Sequence, residues 1–283
     1  MHKIVVAIDF SECSINAFLH SLSIADHCHG ELILLWVQKS ATEKDKYGEK
    51  ILDSSIDVKA AFEDLIAKYQ PEFPGVKLLW KIRKGKIYKE VTDEAKSVNA
   101  MLIVTGTHGA SGFEEFWIGS NANKIIAASS CPVITIRGGI NIQRPLKRIV
   151  FPIDSVEETR QKASFAGFLA KRHDAEIFIL ILYTSKSKAL RDKVDVYTSQ
   201  VVGYFNEEQI KHHVHHADCD NIALETIEYA RKVDANLIAI MTQQEISTAN
   251  IFLGSYAHQM VNNSPFPVLS VHPMSTASSG SSF

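Results

Sequence analysis

Residues 3–9 read KIVVAID and residues 147–154 read KRIVFPID, so the same apolar run ending in Ile-Asp occurs twice in one chain. The match continues in register: Asp9 and Asp154 stand 145 residues apart, as do Glu31 and Glu176, which open the apolar runs to Val37 and Leu182. Later, NAMLIVTGTHG at 99–109 and CPVITI at 131–136 correspond to ANLIAIMTQQE and to FPVLSV at 266–271, now 135 residues apart. The second copy is therefore ten residues shorter in its middle. Solenoid repeats run about 20 to 50 residues, so a period this long means two homologous domains. The reading places them at 1–140 and 146–273, with a boundary of turn and breaker residues in Arg137 to Pro145 and a low-complexity, disordered tail at 274–283. A length of 283 residues leaves room for two cores of ordinary size.

Within each copy the apolar runs lack alternation, which suits strands buried on both faces of a parallel sheet. They alternate with helical patterns, in the first copy Ser14 to Cys28, about Lys50 to Tyr69, Lys86 to Ser97 and Asn121 to Ser129. That order predicts an α/β fold with helices on both faces of the sheet. Ser155-Val-Glu-Glu158 fits a capping box, and Asp9 or Ser11 can cap the first helix of the first copy.

The chain is 46% hydrophobic and 22% charged, with a net charge of -2, the profile of a soluble globular protein. The charge removes the electrostatic argument for nucleic acid or an anionic membrane as partner. Cys13, Cys28, Cys131 and Cys219 are scattered, without a C-x-x-C pair, and read as reduced thiols. MHKIVVAIDF lacks the order of a signal peptide, and no apolar run approaches the ~18 residues of a membrane span. These readings predict a cytoplasmic protein.

The chemistry concentrates in Thr105 to Ser120, TGTHGASGFEEFWIGS, which follows an apolar strand. Open α/β sheets bind ligands at that carboxyl edge. Gly106, Gly109 and Gly112 let backbone amides approach an anion, and Gly119-Ser120 lies where a helix begins, offering free amides and a hydroxyl. The spacing is neither a Walker A loop nor G-x-G-x-x-G. A carboxylate at Asp9 can accept from ribose hydroxyls, hold Mg2+ through water, or serve only as a helix cap.

Gly106-x2-Gly109-x9-Gly119-Ser120, followed by Cys131-Pro-Val and with Asp9 closing the first strand, resembles the universal stress protein family, twice over nearly the whole chain. The resemblance implies two tandem Rossmann-like or flavodoxin-like domains, each a parallel five-stranded sheet with helices on both faces, packed as a pseudo-dimer. It implies ATP as ligand, with Ala7, Ile8 and Asp9 near the nucleotide and the Val37 main chain at adenine. Thr105, Gly106, Gly109, Gly119, Ser120, Asn121 and Ala122 would hold ribose and phosphates, with Mg2+ at Asp9. A further homodimer is compatible with the family.

The second copy departs from this motif. Met241, Gln244 and Ser247 replace Gly106, Gly109 and Gly112, although Asp154 and Gly254-Ser255 persist. The expectation is one competent site, in the first domain, with a pairing and regulatory role for the second. KHHVHHADCD at 211–220 suggests zinc by residue type. On a strand, however, His213 and His215 share one face and His212 and His216 the other, so zinc at His213 and His215 would need further ligands from elsewhere to close a tetrahedral site, and partly exposed strand histidines are the favoured reading. His108, Glu114 and Glu115 are the only nearby candidates for hydrolytic chemistry. The sequence thus favours a nucleotide-responsive binding module, at most a slow ATPase, over a true nucleotide hydrolase or a nucleotide-free scaffold.

Overall fold

The structure is a computed structural model, and it describes residues 1–38, 55–107, 119–137, 145–242, 244–247 and 250–273. Gly109, Gly112, His108, Glu114, Glu115, the start of the second helix at Lys50, most of the 137–145 boundary and the 274–283 tail lie outside the described residues.

The first copy runs β1 (His2–Ala7), α1 (Glu12–Cys28), β2 (Gly30–Gln38), α2 (Ser55–Tyr69), β3 (Lys77–Lys84), α3 (Ile87–Ser97), β4 (Leu102–Gly106), α4 (Ser120–Ala128) and β5 (Val133–Ile136). The second runs β6 (Arg148–Ile153), a 3-10 turn (Glu157–Arg160), α5 (Ala163–His173), β7 (Glu176–Tyr183), α6 (Lys188–Glu207), β8 (His212–Asp218), α7 (Ile222–Lys232) and β9 (Leu237–Met241). It ends with a small hairpin, β10 (Gln244–Ser247) and β11 (Asn250–Leu253), then α8 (Ser255–Asn263) and β12 (Val268–Val271).

Among the described residues, all strands but the hairpin join one ten-stranded sheet, ordered β3-β2-β1-β4-β5-β12-β9-β6-β7-β8. Each copy is a parallel five-stranded unit, and the two meet where β5 and β12 pair antiparallel, with Leu269 opposite Ile134. Joining at these strands removes two exposed edges, which would otherwise invite pairing with other chains. Among the described residues, β3 and β8 stand at the margins of the sheet.

The lack of alternation in the strands has its cause in the layers. Ile4 and Val6 of β1 enter one core with Phe18, Leu22 and Phe62, while Val5 enters the other with Val91, Ile125 and Ile126. Ile149 and Phe151 of β6 likewise share a core with Leu169 and Phe205, and Val150 lies with Ile227 and Met260. A strand covered on both faces has no polar side to display. Across the seam α1 packs on α5, and His27 stacks on His173 at 4.2 Å between ring centroids.

One expectation fails at the start of the second copy. Ser155 to Glu158 does not cap a helix: Asp154 Oδ1 accepts the Val156 amide, and a 3-10 turn follows whose first turn has no side-chain cap. The helix starts only at Ala163, because Lys162 Nζ donates to the Thr159 carbonyl, the acceptor that a continuous α-helix would present to residue 163. In the first copy Ser11 is the cap, accepting from Ser14 N. Asp9 supports it from behind, its Oδ1 accepting from Ser11 N at 3.0 Å and Ser11 Oγ at 2.5 Å.

Candidate functional site

The first copy forms a crevice where its strand order reverses. β1 pairs with β2 on one side and β4 on the other, so the connections leave in opposite directions and open a gap at the carboxyl ends. Ala7 ends β1, and the buried Ile8 continues it by donating to the Leu35 carbonyl at 2.9 Å, which delivers Asp9 to the rim. Half-buried Val37 lies near the end of β2, and buried Thr105 near the end of β4.

The helix that closes the crevice is held to the sheet by backbone. Gly119 N donates to the Thr107 carbonyl at 2.7 Å, and Thr107 N donates to Ile136 at 2.8 Å, so the entrance to α4 is fixed beside β4. Gly119 caps α4 without any side-chain hydrogen bond, which leaves the first-turn amides without a capping side chain. Ser120 is exposed there, Asn121 half-buried, and Ala122 turned into the core. The sequence-predicted residues Ala7, Ile8, Asp9, Val37, Thr105, Gly106, Gly119, Ser120, Asn121 and Ala122 thus lie on the strand ends and helix start that bound the crevice.

Two glycines have a structural cause that the sequence reading did not give them. A Cβ on Gly106 would stand 2.9 Å from Cys13 Cβ and 3.1 Å from its carbonyl carbon, so this glycine lets α1 approach β4. A Cβ on Gly119 would meet the Thr107 carbonyl oxygen at 3.0 Å. Cys13, one of the four scattered thiols, is buried; the missed signal is that its small side chain faces a glycine far away in sequence. Ser14 was missed too: its Oγ accepts from Asp9 N at 3.3 Å and donates to the Ser11 carbonyl at 3.0 Å, stiffening the turn that presents Asp9.

The corresponding place in the second copy holds a small cavity of about 20 Å³ lined by Pro152, Asp154, Val156, Thr159, Lys162, Leu182, Met241 and Tyr256. Gly254 caps α8 as Gly119 caps α4, again without a side-chain bond. Met241 is buried where the first copy has Gly106, and Lys162, wholly buried, points into the space.

The histidine run is the edge strand β8, as its alignment implies. His213 stacks on Phe178 and bonds Glu176 at 2.8 Å; His215 lies flat on Tyr229. His216 meets Tyr183 Oη at 3.1 Å, and His212 Nδ1 meets the Ile210 carbonyl at 2.9 Å. These rings cover the sheet margin. Among the described residues no group of three or more His, Cys, Asp or Glu is arranged to hold a metal. Among the described residues, too, no helix is long and apolar enough to cross a membrane.

The family model for the universal stress protein family matches residues 1–137 and again 145–272. The universal stress protein YxiE of Bacillus subtilis is 28% identical over 158 residues, covering 48% of this chain and 99% of its own. The universal stress protein MJ0531 of Methanocaldococcus jannaschii is 30% identical over 139 residues, covering 48% of this chain and 81% of its own. In three dimensions the chain is similar to a universal stress protein from Archaeoglobus fulgidus, with a TM-score of 0.72 at 18% identity over 96% of this chain and 98% of that one. The chain belongs to the universal stress protein family, as a tandem of two of its domains.

Proposed function

We propose that the first domain binds ATP with Mg2+ at the crevice between β1 and β4, and that the protein acts in the cytoplasm as a nucleotide-responsive stress and regulatory module. The observation that carries this reading is the entrance to α4: uncapped first-turn amides beside a glycine whose Cβ position is closed off by backbone. Such a helix start favours an anion through the N–H groups of Ser120 and Asn121, which precede the first amides bonded to the Gly119 carbonyl, and through its dipole. Ser120, Asn121 and the amide of Gly109 would hold phosphates and ribose, with Gly106 and Gly119 fixing the backbone beside them, and the Val37 main chain would lie against adenine. Asp9, whose Oδ1 is already braced by Ser11, would hold Mg2+ or ribose hydroxyls. Thr105, Ala7, Ile8 and Ala122 shape the floor.

No residue in this reading serves as a general base, so turnover is at most slow. The second domain pairs with the first through β12 and transmits its state; a further homodimer belongs to the same proposal. The experiment is direct. Purified protein is denatured, the released small molecules are identified, and added ATP is followed over time. Retained ATP without turnover supports the proposal. Rapid ADP production abolished by Asp9→Ala would make the protein an enzyme, and absence of any nucleotide binding would leave a scaffold.

A further inference from the structure

Strand β8 closes one margin of the ten-stranded sheet, and among the described residues it has no strand neighbour beyond β7. Ile177 N donates to the Lys211 carbonyl and Cys219 N donates to the Tyr183 carbonyl, so the odd-numbered residues from 211 to 219 turn their amides and carbonyls toward β7. Those of His212, Val214, His216 and Asp218 therefore point away from the sheet. A row of this kind is a template for another strand. The four imidazoles are drawn over the two faces: His212 and His216 lie on the α6 side near Phe205 and Tyr183, and His213 and His215 on the other near Phe178 and Tyr229.

The opposite margin is guarded differently. β3 carries Lys77, Lys81, Arg83 and Lys84, permanent cations of the kind that keeps a foreign strand away. From His212 to Asp218, β8 carries no lysine, arginine or proline, and it leaves Val214 44% exposed.

We infer that β8 is an interface for a second copy of this chain, which adds its own β8 antiparallel about a two-fold axis at His215 and joins two ten-stranded sheets into one. The order of charges along the strand selects this partner. It begins basic, with Lys211, and ends acidic, with Asp218 and Asp220. Antiparallel pairing of the strand with itself sets the cation of each copy against the carboxylates of the other, whereas parallel pairing would set like charge on like. Asp218 is already paired to Arg191 in its own chain and, at 72% exposure, keeps lone pairs for a second cation.

The backbone selects the register. With His215 opposite His215, residue 212 faces 218 and 214 faces 216, so outward amides meet outward carbonyls along the whole strand. A shift of one residue would set outward groups against inward ones, and a shift of two would leave His212 or Asp218 of each copy with no strand opposite. The same register covers Val214, which shares the α6 side with His216 and meets that ring of the other copy. This surface rests on the further homodimer named in the functional proposal and needs no nucleotide.

The test is sedimentation equilibrium of the full chain at pH 8 over a dilution series, where histidine as a residue type carries little charge. Wild type should form a dimer. Val214→Pro should raise the dissociation constant at least about tenfold with an unchanged circular dichroism spectrum: an edge strand accepts proline where the missing N–H faces out, but each chain loses a donor to the new ladder. His215→Cys should cross-link to itself on mild oxidation, because the two residues form a non-hydrogen-bonded pair with Cα atoms about 4.5 Å apart, within disulfide reach. Wild type, with its four native cysteines, should not cross-link. A wild-type monomer at every concentration overturns the interface and the homodimer together. A dimer that tolerates Val214→Pro, or that gives no His215→Cys cross-link, leaves the homodimer standing and overturns its placement at β8.

Discussion

Gly106 separates two causes that a sequence motif merges. A methyl group there meets the α1 backbone at Cys13, so Gly106→Ala should destabilise the protein by about 1–3 kcal/mol with no nucleotide present, read as a lower urea midpoint. If the apo protein is unaffected, the packing role is wrong and only the ligand role is left. Ser11→Ala, which removes the α1 cap and the partner of Asp9, should cost about 1 kcal/mol in the same titration. Legibility at this scale followed spacing. The positions of Asp9 at a strand end and of Gly119 and Ser120 at a helix start were visible because they sit at fixed distances from apolar runs. The pairing of Gly106 with Cys13 was not, because nothing local connects a strand end to a helix start so far away. Lys162 was hidden for the same reason: a lone lysine beside a helix ordinarily faces water, and only the 3-10 turn that lends it the Thr159 carbonyl turns it inward.

Secondary elements were the most legible level, because burial on both faces and helical spacing are properties of contiguous residues. The strands at residues 3–9 and 31–37 and the helix at 86–97 came out within two residues, and the histidine run was rightly a strand. The capping box at Ser155 failed because Asp154 captures the Val156 amide first. Helix α3 shows how an element is tied down: the side chain of Glu94 is fully buried and accepts from Lys81 at 2.6 Å and Arg83 at 2.5 Å, both from β3. Burial opposes its charge, and the two cations more than offset this, so its carboxyl is held below the usual range. The sign follows: a lowered carboxylate contributes stability above its unfolded value and loses it as pH falls through the folded one. Glu94→Gln should therefore cost about 1–3 kcal/mol at neutral pH, the partners being partly hydrated, and the difference from wild type should shrink in acid. Thermal unfolding of both proteins at pH 7 and at low pH checks this.

At the scale of the whole molecule, the duplication was legible and the seam was not. Antiparallel pairing of β5 with β12 joins two edges that could each have met another chain, and no periodicity distinguishes those outcomes. Histidines lie beside this seam on α1 and α5. Burial pushes His20 down to about 4, and burial, reinforced by His27, His20 and Lys147, pushes His173 down to about 3. Their Nε2 atoms are buried without a hydrogen-bond partner. Histidines kept neutral in the fold take up protons only on unfolding, so stability should fall from about pH 6.5 toward pH 4, by up to roughly 1.4 kcal/mol per pH unit for each. His173→Gln should flatten that slope in urea titrations across this range, and an unchanged slope would remove the seam as the cause. The central claim is that the copies have diverged into one nucleotide-binding domain and one that is not. Equilibrium titration with Mg-ATP tests it most directly, on wild type, Gly109→Gln and Asp154→Ala. The account predicts one site per chain, lost or at least tenfold weakened by Gly109→Gln, which carries the second copy's residue into the first, and untouched by Asp154→Ala. Two sites per chain, or a single site that survives Gly109→Gln and disappears with Asp154→Ala, would contradict it.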